Sequence, residues 1–138
     1  MVKRKIHITE RDATRLREWL HWGGRRLKLD REYVEVLQRE LERACLIQPE
    51  EIPPDVVTMR SQVRLVDVNT EQEMLCTLVF PEDALATDGS ISVLAPVGAA
   101  ILGCSVGDVV RFQTPRAVRT LRIVEVLYQP EAAGHYFL

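Results

Sequence analysis

The segment Gln48-Pro49-Glu50-Glu51-Ile52-Pro53-Pro54 divides the chain into two parts whose apolar residues keep different periods. Its prolines remove backbone N–H donors and fix φ, so no regular helix or strand propagates through it. Before it, apolar side chains recur every three or four residues, as on a helix with one buried face. After it, they alternate with polar ones every second residue, as on a strand with one buried face. A chain that changes period at such a block is expected to fold as helices followed by a sheet, an α+β class. The division falls between residues 1–47 and residues 48–138.

The first part reads as two short helices. Thr9 is an N-cap residue with Asp12 three positions on as its capping-box partner, and Ala13, Leu16 and Leu20 follow at helical spacing. Gly23-Gly24 ends this helix. A second opens at Asp30 and carries Val34, Leu37, Leu41 and Ala44 in an a/d-like stripe, with charged residues elsewhere. Two amphipathic helices joined by a short Gly-containing turn predict an antiparallel helical hairpin, a short coiled coil. Trp19 lies close to the apolar stripe and reads as core, whereas Trp22 is open between core and contact residue.

In the second part, Val57, Met59, Val63 and Leu65 alternate with Thr58, Arg60, Gln62 and Arg64, the pattern of one half-buried antiparallel strand. Met74 to Phe80 is a second strand; Asp108 to Thr114 and Val118 to Tyr128 are two more, rich in Val and Ile. Between them Pro96 to Gly103, with Pro at the start and Gly at the end, fits a helix of two turns at most. The expected product is an antiparallel sheet with one short helix across a face.

With 138 residues the chain has no room for separate cofactor and substrate domains, and its formal net charge of −2 is not that of a generically basic nucleic-acid binder. That total conceals an asymmetry: residues 1–45 hold 12 basic and 8 acidic side chains, the remainder 6 and 12. Such a split either steers a partner with complementary patches or is two solvated surfaces. Cys45, Cys76 and Cys104 are odd in number and widely separated, and His7, His21 and His135 are scattered. No disulfide framework, metal site or cofactor is expected from them. No apolar run approaches the ~18 residues that cross a bilayer, and Met1-Val2-Lys3-Arg4-Lys5 is followed by polar sequence, which points to a cytoplasmic protein away from membranes. The second helix mixes Arg31, Arg39 and Arg43 with Glu32, Glu35, Glu40 and Glu42, so sequence-specific DNA binding is not expected. A monomer is the expected state.

Ile91-Ser92-Val93-Leu94-Ala95-Pro96-Val97-Gly98-Ala99-Ala100-Ile101-Leu102-Gly103, followed by Val106-Gly107-Asp108, resembles the signature of the C-terminal domain of bacterial GreA/GreB transcript-cleavage factors, which has the FKBP-like fold. The chain is more similar still to the Gre-related Rnk family, the regulators of nucleoside diphosphate kinase. That likeness rests on residues 49–59, the Ala95-Pro96 loop with its helix, and the ending Tyr128-Gln129-Pro130-Glu131-Ala132-Ala133-Gly134. The resemblance implies binding to bacterial RNA polymerase near the rim of its secondary channel, with an FKBP-like domain docking outside and the hairpin directed inward. In Gre factors the loop before the short helix helps make the docking contact, which by position assigns Ser92, Leu94, Ala95 and Pro96. Gre sequences commonly carry a polar or acidic residue where Leu94 stands, so the contact implied here is more apolar. Val97, Ile101 and Leu102 read as packing residues.

Cleavage factors bring carboxylates at the hairpin tip to a divalent cation, chemistry that needs hard oxygen ligands. The expected tip, residues 23–29, offers the cations Arg25, Arg26 and Lys28 and no carboxylate, and Asp30 is committed as a helix cap. Arms of about 13 residues extend only about 20 Å. The expectation is therefore a channel occupant without catalytic residues, whose tip cations either meet acidic channel residues or form a solvated turn. Two other functions are weighed. Peptidyl-prolyl isomerase activity follows from fold analogy, but an aromatic-lined pocket would have to come from Phe80, Phe112, Tyr128, Tyr136 and Phe137. Nucleoside diphosphate kinase is either a direct binding partner or is affected indirectly through transcription. The chain has no phosphate-cradling Gly-rich loop of a kinase itself.

Overall fold

A computed structural model describes residues 6–22, 31–84 and 89–136. In chain order the elements are β1 (His7–Thr9), α1 (Glu10–Trp22), α2 (Arg31–Arg43), β2 (Cys45–Ile47), β3 (Gln62–Asp67), β4 (Glu73–Val79), β5 (Ser90–Ser92), α3 (Pro96–Ile101), β6 (Val109–Gln113) and β7 (Val118–Tyr128). Short 3₁₀ turns occupy Pro49–Glu51 and Pro81–Asp83, each begun by a proline. The mixed α+β class is as expected. The helix-ending Gly23-Gly24, the cap Asp30 and the tip residues Arg25, Arg26 and Lys28 lie outside the described residues, as does the Trp22 side chain.

Helix α1 begins where the sequence placed it, because Thr9 Oγ1 accepts the Asp12 N–H at 3.0 Å. The Asp12 carboxylate is turned toward the second part of the chain, where Oδ2 accepts the Met59 N–H at 3.1 Å. Leu16 and Leu37 are fully buried, and they join Leu65, Leu78, Ile101 and Ile123 in one apolar cluster. The helices and the sheet thus share a core. Trp19 is partly buried against it. Flanking the helices, β1 and β2 pair in parallel, His7 opposite Cys45 and Thr9 opposite Ile47, in strands too short to have a legible period. The His7 N–H donates to Gly103 O at 3.0 Å, which ties this small sheet to the end of α3.

The main sheet has the order β5-β4-β3-β7-β6. Strands β3, β4, β6 and β7 pair antiparallel, but β5 runs parallel to β4, so the expected antiparallel sheet is corrected to a mixed one. Residues 80–89 separate β4 from β5, a connection longer than the tight turn of an antiparallel hairpin, and β5 has only three residues to signal itself. A second correction concerns the single strand expected from Val57 to Leu65. The chain turns before β3: Ser61 N–H donates to Thr58 O at 3.0 Å, Thr58 N–H to Ser61 Oγ at 2.9 Å, and Arg60 takes φ 68°. Thr58 and Ser61 occupy polar places in the sequence, yet both are buried, their hydroxyls 2.8 Å apart. One sheet face, with Val63, Leu65, Cys76, Leu78, Leu121 and Ile123, faces the core.

Candidate docking site

Strand β5 brings the four docking candidates to one edge of the sheet, where Ser92 pairs with Val79. Ser92 organises the loop that leads into α3. Its Oγ accepts the Leu94 N–H at 3.1 Å, and its carbonyl accepts the Ala95 N–H at 3.0 Å. Ala95 is extended (φ −64°, ψ 150°), as a residue before proline must be, and Pro96 starts α3 with its φ already helical. The turn is clamped from the helix side as well. A Cβ placed on Gly98 would lie 2.1 Å from Ser92 O, so only glycine lets α3 approach the end of β5 this closely.

The loop therefore holds Ser92, Ala95 and Pro96 half-buried at the surface in a rigid arrangement. Leu94 differs. Its side chain is 6% exposed and belongs to the apolar cluster beside Val93, so its apolar character serves packing, and the surface of the loop comes from its neighbours. Ile101 and Leu102 are buried as expected, while Val97 is only partly buried.

A polar cluster that the sequence reading did not assemble lies at the root of α1. Asp12 is almost fully buried, and its carboxyl is pushed up from 3.8 to about 6, first by loss of water and then by the charge of Glu131; the Met59 N–H, Arg15 and Thr9 oppose the shift. Thr58 Oγ1 donates to Glu131 Oε1 at 2.7 Å. Arg15 lies 4.6 Å from the Phe80 ring centroid and Arg60 5.9 Å from it, and burial lowers the Arg15 pKa from its ordinary value, with Arg60 beside it adding to the effect. Arg60 also approaches Asp83 at 3.8 Å. These contacts join α1, the Thr58–Ser61 turn, the end of β4 and the C-terminal turn, and they fix the helices on the sheet. No local motif announces the cluster, because its members are spread from residue 12 to residue 131. Burial also pushes the Cys76 thiol up to about 11, which leaves it inert. Among the described residues no group of three or more His, Cys, Asp or Glu is placed to hold a metal ion, and no helix is long and apolar enough to cross a membrane.

The family model described as "Transcription elongation factor, GreA/GreB, C-term" matches residues 52–128. Escherichia coli (strain K12) "Regulator of nucleoside diphosphate kinase" is 45% identical over 105 residues, 75% of this chain and 77% of that protein. "Transcription elongation factor GreA" of Thermodesulfovibrio yellowstonii is 33% identical over 96 residues, 70% of this chain and 61% of that relative. Among solved structures, "Prokaryotic transcription elongation factor GreA/GreB from Nitrosomonas europaea" superimposes with a TM-score of 0.72 at 42% identity, covering 91% of this chain and all of that one.

Proposed function

The chain belongs to the GreA/GreB family of transcription elongation factors, and on that premise we propose that it binds RNA polymerase at the rim of the secondary channel and does not promote transcript cleavage. Residues 48–138 act as the FKBP-like docking domain, with Ser92, Ala95 and Pro96 at the contact and Leu94 beneath it. The protein is a cytoplasmic monomer without catalytic activity of its own. The observation that carries the non-cleaving half of this reading is the length of α1 and α2, 13 residues each. At 1.5 Å per residue each arm extends about 20 Å. Together with a tip segment free of carboxylates, this leaves nothing to deliver to a distant catalytic cation.

Purified protein added with Mg²⁺ to stalled, backtracked elongation complexes is expected to leave the rate of RNA shortening unchanged and to slow shortening by a cleavage factor added with it. Accelerated shortening overturns the reading. Pro96→Arg is expected to weaken polymerase binding about tenfold or more while the far-ultraviolet dichroism of the folded protein is kept, since it puts a bulky charge on the half-buried surface of the loop.

The name of the Escherichia coli relative supports a second reading, that nucleoside diphosphate kinase is itself the partner. An effect on kinase level through altered transcription accommodates both the name and the family. Co-purification separates them: polymerase subunits support the first reading, and the kinase without polymerase supports the second.

A further inference from the structure

Residues 109–124 hold four arginines, Arg111, Arg116, Arg119 and Arg122, and no carboxylate, although from residue 46 onward acidic side chains outnumber basic ones 12 to 6. This stretch is β6, β7 as far as Val124, and the turn between them. The register sets Val109 opposite Arg122, Arg111 opposite Thr120 and Gln113 opposite Val118. Because side chains alternate, these six share the face turned away from buried Leu121 and Ile123. The same face continues through Val66, paired with Arg122, and through Arg64 and Leu75.

On that face Leu75 is 49% exposed, Val118 48% and Val109 42%. Two nearby cations are engaged within the fold: Arg119 donates to Asp67 at 3.2 Å, and Arg64 meets Glu125 at 2.9 Å. Arg111 and Arg122 are exposed and stand between the valines. A solvated sheet face is ordinarily polar, and a patch of aliphatic side chains around exposed guanidinium groups is the composition of a contact surface. Where β6 pairs with β7 the charges are those of Arg111 and Arg122 with no carboxylate among them, which disfavours a basic partner there. Single-stranded nucleic acid needs aromatic rings on which bases stack, and where β6 pairs with β7 the face presents Val, Thr, Gln and Arg; its carboxylates, Glu73 opposite Val66 and Glu125 opposite Arg64, and its ring, Tyr128 opposite Gln62, lie farther along, where β7 pairs with β3 and β3 with β4. A segment carrying both carboxylates and aliphatic side chains satisfies both halves of the patch.

We propose that the outer face of β3, β7 and β6 is a docking surface for an acidic, aliphatic-rich segment of a partner protein, with Arg111 and Arg122 pairing its carboxylates and Val109, Val118 and Leu75 covering its aliphatic side chains. Strand β6 ends the sheet at the edge opposite β5, so this surface is separate from the loop at residues 92–96 and does not rest on the polymerase reading.

The test is an amide chemical-shift titration of the ¹⁵N-labelled full chain with three probes of matched length: a peptide alternating Glu with Val and Leu, an oligo-aspartate and a single-stranded RNA. The mixed peptide is expected to shift amides of β3, β6 and β7 and to saturate at the lowest concentration. Arg111→Glu with Arg122→Glu is expected to weaken it about tenfold or more. Val118→Ser, which leaves every charge in place, is expected to weaken it several-fold. Unchanged shifts in the core amides show that the variants fold. The proposal is overturned if the mixed peptide shifts no amide on this face, if oligo-aspartate binds equally well, if RNA binds more tightly, or if the arginine variants bind like the parent.

Discussion

Asp12 is a first-turn carboxylate whose place in the sequence shows half of what it does. Its N–H takes the Thr9 cap, as the Thr-x-x-Asp spacing foretells, but its carboxylate sits in the seam between α1 and the Met59 turn, a partner 47 positions away. Burial there and the charge of Glu131 raise its pKa from 3.8 to about 6, so it binds a proton more tightly folded than unfolded. Its stabilising contribution is therefore complete below about pH 4 and lost as pH rises through 6. Between pH 7.5 and pH 5 this group alone adds about 1.4 kcal/mol on acidification. The urea midpoint of the parent is expected to rise over that interval relative to that of Asp12→Asn, whose amide stays neutral and can still accept the Met59 N–H. Parallel pH profiles for the two proteins would show that Asp12 has an ordinary pKa. Leu94 makes the same point about legibility: an apolar residue in a loop reads equally as contact or as core, and only the packing of Val93 and Leu94 into the cluster decides it.

At the scale of elements, long and regular segments were legible and short ones were not. Strand β7 has the bounds read from its Val- and Ile-rich run, and β6 lies within one residue of its own at each end. The apolar stripes of α1 and α2 are the ones expected, since Leu16, Leu37 and Leu41 are all buried. Strands β1, β2 and β5 have three residues each, less than two full alternations, so no period exists to be read. The Thr58–Ser61 turn was hidden because hydroxyl groups that close a turn can be buried as completely as the apolar residues beside them. Helix α3 was legible from Pro96 and the glycine after it, but the reason for Gly98 was not, because the carbonyl it makes room for belongs to Ser92 on the preceding strand. Gly98→Ala is expected to cost about 3 kcal/mol or more and to displace the 92–96 loop, because Ser92 backbone would have to move. At Gly107, φ is 93° and nothing lies within 4 Å of an added Cβ, so Gly107→Ala is expected to cost only about 1–2 kcal/mol of backbone strain. Equal losses in chemical denaturation would remove the close approach as the explanation.

Over the whole molecule, the proline segment marks a change of secondary structure without interrupting the core. Leu37 from α2, Leu16 from α1 and Leu65 from β3 lie in one cluster; the Ile6 carbonyl accepts the Cys45 N–H at 2.9 Å, and the Gly103 carbonyl accepts that of His7. Two 13-residue helices are marginal by themselves in water, so their stability has to come from the sheet beneath them. Sequence periodicity could not reveal this, because it reports that a face is buried and is silent about what buries it. The two tryptophans, Trp19 and Trp22, both lie in α1, so their fluorescence reports on the helices while far-ultraviolet dichroism near 218 nm also follows the sheet. The two signals are expected to lose their native values along one urea transition. Leu37→Ala, which opens a cavity where α2 meets the core, is expected to lower that transition by about 2–5 kcal/mol for both probes alike. If the fluorescence transition alone moved, the helices would unfold from an intact sheet, and the orientation of α1 and α2 would be set by a hinge and not by the shared core.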